Sequence, residues 1–371
     1  MSRRDRSAAG MGNAMAFYAG RRALERVRES GLAPEDVRAV LGAAGGPKWL
    51  ILGHFDRAVL AGWLRDRTDP LPLIGSSSGA WRFAAACRAD PVAATNRFEA
   101  AYVDQRYRVK PSPADVSAEG KRILDEFLGD TGAGEVVSHP RYRLTVIVSR
   151  SRGFLLRTES RAAQMAGFGA VALANAISRR AIGLAFDRLL VADPRTPLNG
   201  RLQPDGIPTR KVRLTADNLR TALLASGSIP LVMTPVRELP GAAGGPFWDG
   251  GVVDYHPDIP TPPCDGVILF PHYTDRIVPG WLDKKLTWRR PKYTDDLLMA
   301  VPSADFLSRL PGGAIPDRTD FHRFFGRDGE RIRRWERAID LSRALAEDFM
   351  EAVLSGRIRE RVRPMPGLRT E

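Results

Sequence analysis

Apolar residues recur at three- and four-residue intervals from Phe17 to about Ser30, at Tyr18, Ala23, Leu24 and Val27. That spacing predicts a helix, and Gly31 is placed to stop it. Val37-Arg38-Ala39-Val40-Leu41 follows, a short β-branched run that reads as a strand and leads into Gly42-Ala43-Ala44-Gly45-Gly46-Pro47-Lys48. Helical spacing returns from Trp49 to Leu64 through Leu50, Phe55, Val59, Leu60 and Trp63. A second apolar run, Leu71 to Ile74, precedes Gly75-Ser76-Ser77-Ser78-Gly79 and a small-residue helix from Ala80 to Cys87. The order is strand, glycine loop, helix, strand, sharp turn, helix. Such alternation predicts an α/β fold around a parallel sheet with right-handed crossovers.

Arg143 to Val148 and Gly266 to Phe270 read as buried strands. Between them lies an apolar stretch with helical character, Ala162 to Leu190, interrupted by Arg179 and Arg180. It reads as a core helix pair, with the wall of a lipid pocket as the sharper alternative. Ile229 to Pro263 is rich in Pro and Gly and has little periodicity. From Arg331 to Leu354, Ile332, Trp335, Ile339, Leu345, Phe349 and Val353 share one helical face, as in a packed surface helix. With no internal repeat and no long linker, the chain divides into a disordered tail (1–15), one main domain (16–310) and a helical C-terminal extension packed on it (311–371).

Composition narrows the classes. The 371 residues are 43% hydrophobic, ample for a core, and no apolar run is long enough to span a bilayer. Met1-Ser2-Arg3-Arg4-Asp5-Arg6 lacks the hydrophobic region of an export signal, so a cytoplasmic location is expected, with peripheral membrane contact as an option. Cys87 and Cys264 are far apart, and the five histidines (His54, His139, His256, His272 and His322) form no ligand cluster. No metal and no cofactor are expected. The net charge of +13 is mostly arginine spread along the chain, without a nucleic-acid-binding signature. No nucleic-acid partner is expected, and the oligomeric state is not legible. One basic segment, Lys284-Lys285-Leu286-Thr287-Trp288-Arg289-Arg290, interleaves Trp with cations and suits either an anionic lipid surface or a solvated loop.

Three motifs carry the chemistry. In Gly75–Gly79 the central Ser77 fits a nucleophile elbow between strand and helix, and Gly75 and Gly79 allow close backbone approach. An ordinary helix-capping loop would have the same composition. Ala44-Gly45-Gly46-Pro47-Lys48 can present main-chain N–H groups as an anion-binding concavity, an oxyanion hole in acyl transfer. The nucleotide P-loop pattern fails, because Pro47 separates Gly46 from Lys48 and Trp49 stands where a hydroxyl is required, which leaves nucleotide binding a minor alternative. The third motif, Trp248-Asp249-Gly250-Gly251-Val252-Val253-Asp254, supplies either a simple turn or a carboxylate base for the serine.

In this order, with Ala225-Ser226-Gly227-Ser228-Ile229-Pro230 ahead of the Asp-Gly-Gly motif, the chain resembles the patatin-like phospholipase family over roughly residues 37–272. The resemblance implies a three-layer α/β sandwich with a mostly parallel central sheet flanked by helices. It also implies a metal-independent carboxylic ester hydrolase of phospholipase A or lysophospholipase type, acting on lipid esters. Carried over, Ser77 is the nucleophile and Asp249 its general base, without a histidine. Gly45 and Gly46, together with Ser78, supply the oxyanion hole; Lys48, Gly75, Gly79, Gly250 and Gly251 support it. The chain departs from the family's loop at Ala44 and Trp49, where glycine is usual; the bulky Trp49 is expected to reshape the pocket.

Two other readings stand beside this one. An α/β-hydrolase triad would add His256 or His272 to Ser77 and Asp249, although His256 reads better as a loop residue near the site. A peripheral lipid-binding protein with a vestigial hydrolase site would account for the basic charge without catalysis.

Overall fold

Strand β4 does most to assemble this molecule. In the computed structural model, which describes residues 13–196, 205–259 and 265–366, the strands are β1 (Met15–Ala19), β2 (Val37–Gly42), β3 (Leu71–Ser76), β4 (Tyr142–Ser151), β5 (Phe186–Ala192), β6 (Thr209–Arg213), β7 (Phe247–Asp249), β8 (Val267–Pro271), β9 (Leu297–Pro302) and β10 (Val362–Pro364). They form one mixed sheet in the order β10-β1-β9-β8-β2-β3-β4-β5-β6, with β7 pairing on β4. Pairings β2–β3, β2–β8, β3–β4 and β8–β9 are parallel, so the middle of the sheet needs helical crossovers and is covered on both faces. That explains the nearly unbroken apolar character of β3, β8 and β9, all of whose residues are buried. Antiparallel pairs β1–β9 and β4–β5 lie outside this block.

The register of β4 brings two distant chain segments together. Ser76, the last residue of β3, pairs with Ile147, and Asp249, the last residue of β7, pairs with Val148. Because β5 pairs with Val148 to Arg150 from the other side, β7 continues along the edge that β3 occupies. Consecutive positions of one strand therefore juxtapose the turn after β3 and the end of β7. The turn lies at the carboxyl end of the parallel strand β3, where ligand crevices of open α/β sheets form, and the antiparallel β7 delivers Asp249 to that same end.

Several expected elements differ in detail. Met15 to Ala19 is a strand, and the first helix begins only at Arg21. The apolar spacing of Phe17 and Tyr18 cannot separate a short buried strand from a first helical turn. Of the tail assigned to residues 1–15, residues 1–12 lie outside the described residues, and Met15 already belongs to β1. The Trp49–Leu64 stretch changes type along its length, from 3₁₀ (Gly46–Leu52) to α (Gly53–Ala58) to π (Val59–Trp63).

Ala162 to Leu190 is not a core helix pair. It comprises a helix from Arg161 to Ile177, a short turn of helix from Ile182 to Ala185, and then β5. The long C-terminal helix spans Asp328–Leu354 and buries Trp335, Leu345 and Phe349. Phe349 meets Phe55 edge-on at 4.8 Å and Phe17 at 6.1 Å, which ties this helix to the helix after the glycine loop and to β1. Beyond it the chain joins the sheet as β10, parallel to β1. Three residues at a sheet edge leave no alternation to read.

Candidate active site

Ser77 sits between β3 and the helix Ser78–Ala86 with φ +53° and ψ −126°, a left-handed conformation that a serine adopts only under constraint. Two contacts hold it there. Its N–H donates to the Ser226 hydroxyl at 2.8 Å, and that hydroxyl donates onward to the Ile147 carbonyl at 2.6 Å. Close backbone packing does the rest: a Cβ on Gly79 would run into the Gly42 carbonyl of β2. Gly75 likewise lies against the Ala80 backbone. The elbow helix is anchored from beneath by Arg82, whose guanidinium makes a buried two-point ion pair with Asp56 at 2.6 and 2.7 Å.

Asp249 is buried and faces the serine directly. The Ser77 Oγ donates to its Oδ2 at 2.7 Å, and the Gly251 N–H donates to its Oδ1 at 2.7 Å. The Asp249 N–H donates to the Ser228 carbonyl at 2.9 Å, so the Ser226–Ser228 segment fixes the backbones of both residues. Gly250 is packed where a Cβ would meet the Ile147 carbonyl and the Ser76 hydroxyl. Behind it, Asp254 receives a two-point pair from Arg188 at 2.6 and 2.9 Å, pinning the end of the motif to β5. Burial pushes the Asp249 carboxyl up from its ordinary 3.8 to about 6. The bonds from Ser77 and Gly251 and the charges of Arg318 and Lys284 pull the other way without cancelling it.

The glycine loop completes one wall. Ala44, Gly45 and Gly46 line the same cleft as Ser77, Asp249 and Gly251, a crevice of about 340 Å³ including its open mouth. The Ala44 N–H donates to the Tyr255 carbonyl at 2.8 Å, and the Ala44 carbonyl accepts the Tyr273 hydroxyl at 2.5 Å. In a trans peptide the N–H points opposite to the C=O, so this bond turns the Gly45 N–H away from Tyr273. Gly46 has φ +56° and opens the 3₁₀ helix, whose first N–H groups have no partner within the helix. Ser78 opens the elbow helix in the same way, while the Ser77 N–H is already taken by Ser226.

Of the expected positions, Ser78, Gly75, Gly79 and Gly250 lie behind the cleft lining, and Lys48 and Trp49 point elsewhere. Lys48 approaches Asp317 at 3.5 Å and lies over the Tyr273 ring, 5.2 Å from its centroid. Trp49 does not reshape the pocket. It is buried in the core, stacked on Phe98 at 4.0 Å, because the turn of the helix rotates it away from the loop.

Neither histidine can complete a triad in this arrangement. A triad imidazole donates its Nδ1–H to the carboxylate. Here His256 Nδ1 accepts the Val278 N–H at 2.8 Å, and His272 Nδ1 accepts the Thr274 N–H at 3.0 Å. Burial drives the His256 imidazole well below its ordinary range and pushes His272 down to about 3, so both are neutral. His256 instead contacts the Tyr273 hydroxyl through Nε2 at 2.8 Å. The chain Val278, His256, Tyr273, Ala44 is thus a brace for the glycine loop.

Tyr255, Trp281 and Arg318 also line the cleft, and the sequence gives no sign of them. They come from irregular segments after the Asp-Gly-Gly motif, with no spacing that ties them to Ser77. The His256–Tyr273 pairing had a faint signal in the two histidines weighed for a triad.

VipD from Legionella pneumophila is a similar solved structure, at 11% identity and a TM-score of 0.31, with 91% of this chain and 71% of VipD covered. No curated protein matches the chain. The family model described as "Patatin-like phospholipase" matches residues 45–257, a stretch that begins in the glycine loop and ends just beyond the Asp-Gly-Gly motif. That match covers more than half of the chain, which therefore belongs to the patatin-like phospholipases, a family of lipid acyl hydrolases.

Proposed function

We propose that the protein cleaves fatty acyl esters of lipids, as a phospholipase A or lysophospholipase, through a Ser77–Asp249 dyad. The observation that carries this reading is the direct 2.7 Å bond from the Ser77 hydroxyl to a buried carboxylate whose pKa stands at about 6. A base near 6 is mostly ionised at neutral pH, yet basic enough to take a proton in the transition state. Ser77 Oγ attacks the ester carbonyl carbon and its proton passes to Asp249. The N–H groups of Gly45, Gly46 and Ser78 hold the oxyanion. As the tetrahedral species collapses, the ester C–O bond breaks and Asp249 returns the proton to the departing alcohol. Water, deprotonated by Asp249, then attacks the acyl-enzyme, and Ser77 leaves with the proton as the fatty acid is released. The steps run on this chain's own groups and water. The test is mass spectrometry of products from mixed phospholipids. Fatty acid and lysophospholipid should form with the parent protein and be absent with Ser77→Ala; equal release by both would overturn the assignment.

Two further outcomes follow from the surroundings of the dyad. Turnover should require ionised Asp249, so kcat/KM should fall on the acid side with a midpoint near 6. Arg318 and Lys284 both hold that carboxyl lower than burial alone would. Arg318→Ala should therefore move the acid limb to higher pH, and an unmoved limb would separate it from Asp249. Tyr273→Phe removes the hydroxyl that turns the Ala44 peptide while keeping the ring. We expect kcat to fall by roughly 10- to 100-fold, less than the ~10²–10³ for deleting an oxyanion donor outright, with KM little changed. A change confined to KM would mean that Tyr273 acts on substrate binding instead.

No helix among the described residues is long and apolar enough to cross a membrane.

A further inference from the structure

The helix Arg161–Ile177 is apolar on both faces, with Phe168 and Val171 packed inward. Its buried face also carries Gln164 and Asn175, each held by a hydrogen bond, to the Thr158 carbonyl at 2.9 Å and to Asp283 at 2.7 Å. Its exposed face from Ala162 to Ile177 bears no polar side chain. Leu173 is 75% exposed and Ile177 89%; on the short helices packed beside it, Phe154 is 82% exposed and Leu184 81%. A surface helix normally turns polar residues to solvent, and an exposed apolar face of this kind marks an interaction site.

We propose that this face docks on an anionic lipid bilayer and seats the cleft at the membrane surface. Charge selects that occupant. On residues 154–185 and 281–292 the exposed charged side chains are Arg152's neighbours Arg157, Arg161 and Arg180 with Lys285, Arg290 and Lys292, against the single carboxylate of Glu159, which is paired with Arg237. Trp288, exposed beside them, suits the headgroup layer. Segment 281–292 and the helix are joined: Arg289 donates to the Asn175 carbonyl at 2.5 Å, and Asn175 bonds Asp283. The patch also adjoins the cleft. Phe168, on the inner face of the helix, packs edge-on against Trp281, which lines the crevice beside Asp249. That the bilayer also supplies the substrate rests on the acyl hydrolase reading above; docking itself does not.

The test uses the full-length Ser77→Ala protein, so that the vesicles stay intact whatever the activity. It is sedimented with vesicles of phosphatidylcholine alone, or of phosphatidylcholine with about one third phosphatidylglycerol. Binding should favour the anionic vesicles and weaken with salt. Adding Leu173→Asp and Ile177→Asp should lower the bound fraction at least about tenfold without changing the thermal melt, because both side chains lie in solvent. Undiminished binding by that variant, or no binding by its Ser77→Ala parent, overturns the proposal. Equal binding to neutral vesicles removes the role of the cations. A dimer in light scattering that the two aspartates dissolve would assign the face to a second copy of this chain. If docking fails while Ser77-dependent fatty acid release persists, only the docking surface is lost; if release fails while docking persists, only the hydrolase reading is.

Discussion

The Ser77→Ala protein is expected to lose ester turnover by at least about 10⁴-fold and to take up no fluorophosphonate label, while folding as before. The expected size of the loss follows from how little else the substitution removes. Alanine meets the same backbone strain at φ +53° as serine does. The bond from its N–H to Ser226 is a main-chain bond and survives. Only the hydroxyl and its bond to Asp249 disappear. Without a nucleophile the oxyanion donors can polarise a bound ester but cannot form an acyl-enzyme, which leaves a small residue of catalysis. The measurement pairs turnover of a soluble ester with peptide mapping of the labelled parent protein. A label on any residue other than Ser77, or turnover retained in the variant, would contradict the dyad.

Asp249→Asn should inactivate the protein to a similar degree and, at the same time, make it more stable above neutral pH. With the amide oxygen still accepting the Gly251 N–H, the amide nitrogen faces Ser77 and donates to Oγ, so nothing accepts the serine proton. The stability effect has a definite sign. The folded carboxyl titrates near 6 and an unfolded one near 3.8, so the folded state binds more protons between these values. Parent stability therefore falls as pH rises from about 4 to about 6, and the full penalty remains above 6. Two pK units correspond to roughly 2–3 kcal/mol, which the neutral amide recovers at pH 8 and does not recover near pH 4. Thermal melts of both proteins at those two pH values check it. Equal destabilisation by the substitution at both would mean that Asp249 is held in place by its bonds rather than strained by burial.

What could be read in advance was what chain-local geometry imposes. Gly75, Gly79 and Gly46 announce themselves because a backbone that turns sharply or touches another backbone leaves no room for a side chain. The apolar middle strands were legible because parallel strands buried on both faces carry continuous hydrophobic runs. Features decided by tertiary contact were not. Nothing around Arg318 or Trp281 distinguishes them from other loop residues until the segments after the Asp-Gly-Gly motif fold over the cleft. Nor does the apolar run at 162–177 reveal which face is covered. Its composition suited a core helix, and only the packing of Phe168 and Val171 inward shows that Leu173 and Ile177 face out.

The register of β4 also bears on when activity can arise during synthesis. Ser77 and Asp249 are separated by 172 positions, and the hydroxyl that holds the Ser77 amide comes from Ser226. A ribosome-bound chain that has emerged only as far as β4 carries the serine without its carboxylate or its amide restraint. The contacts that create the nucleophile span 149 and 172 positions, and contacts of such separation form late. A nascent or truncated chain ending before β7 would thus expose a harmless serine, and hydrolytic competence would await the pairing of β7 with β4.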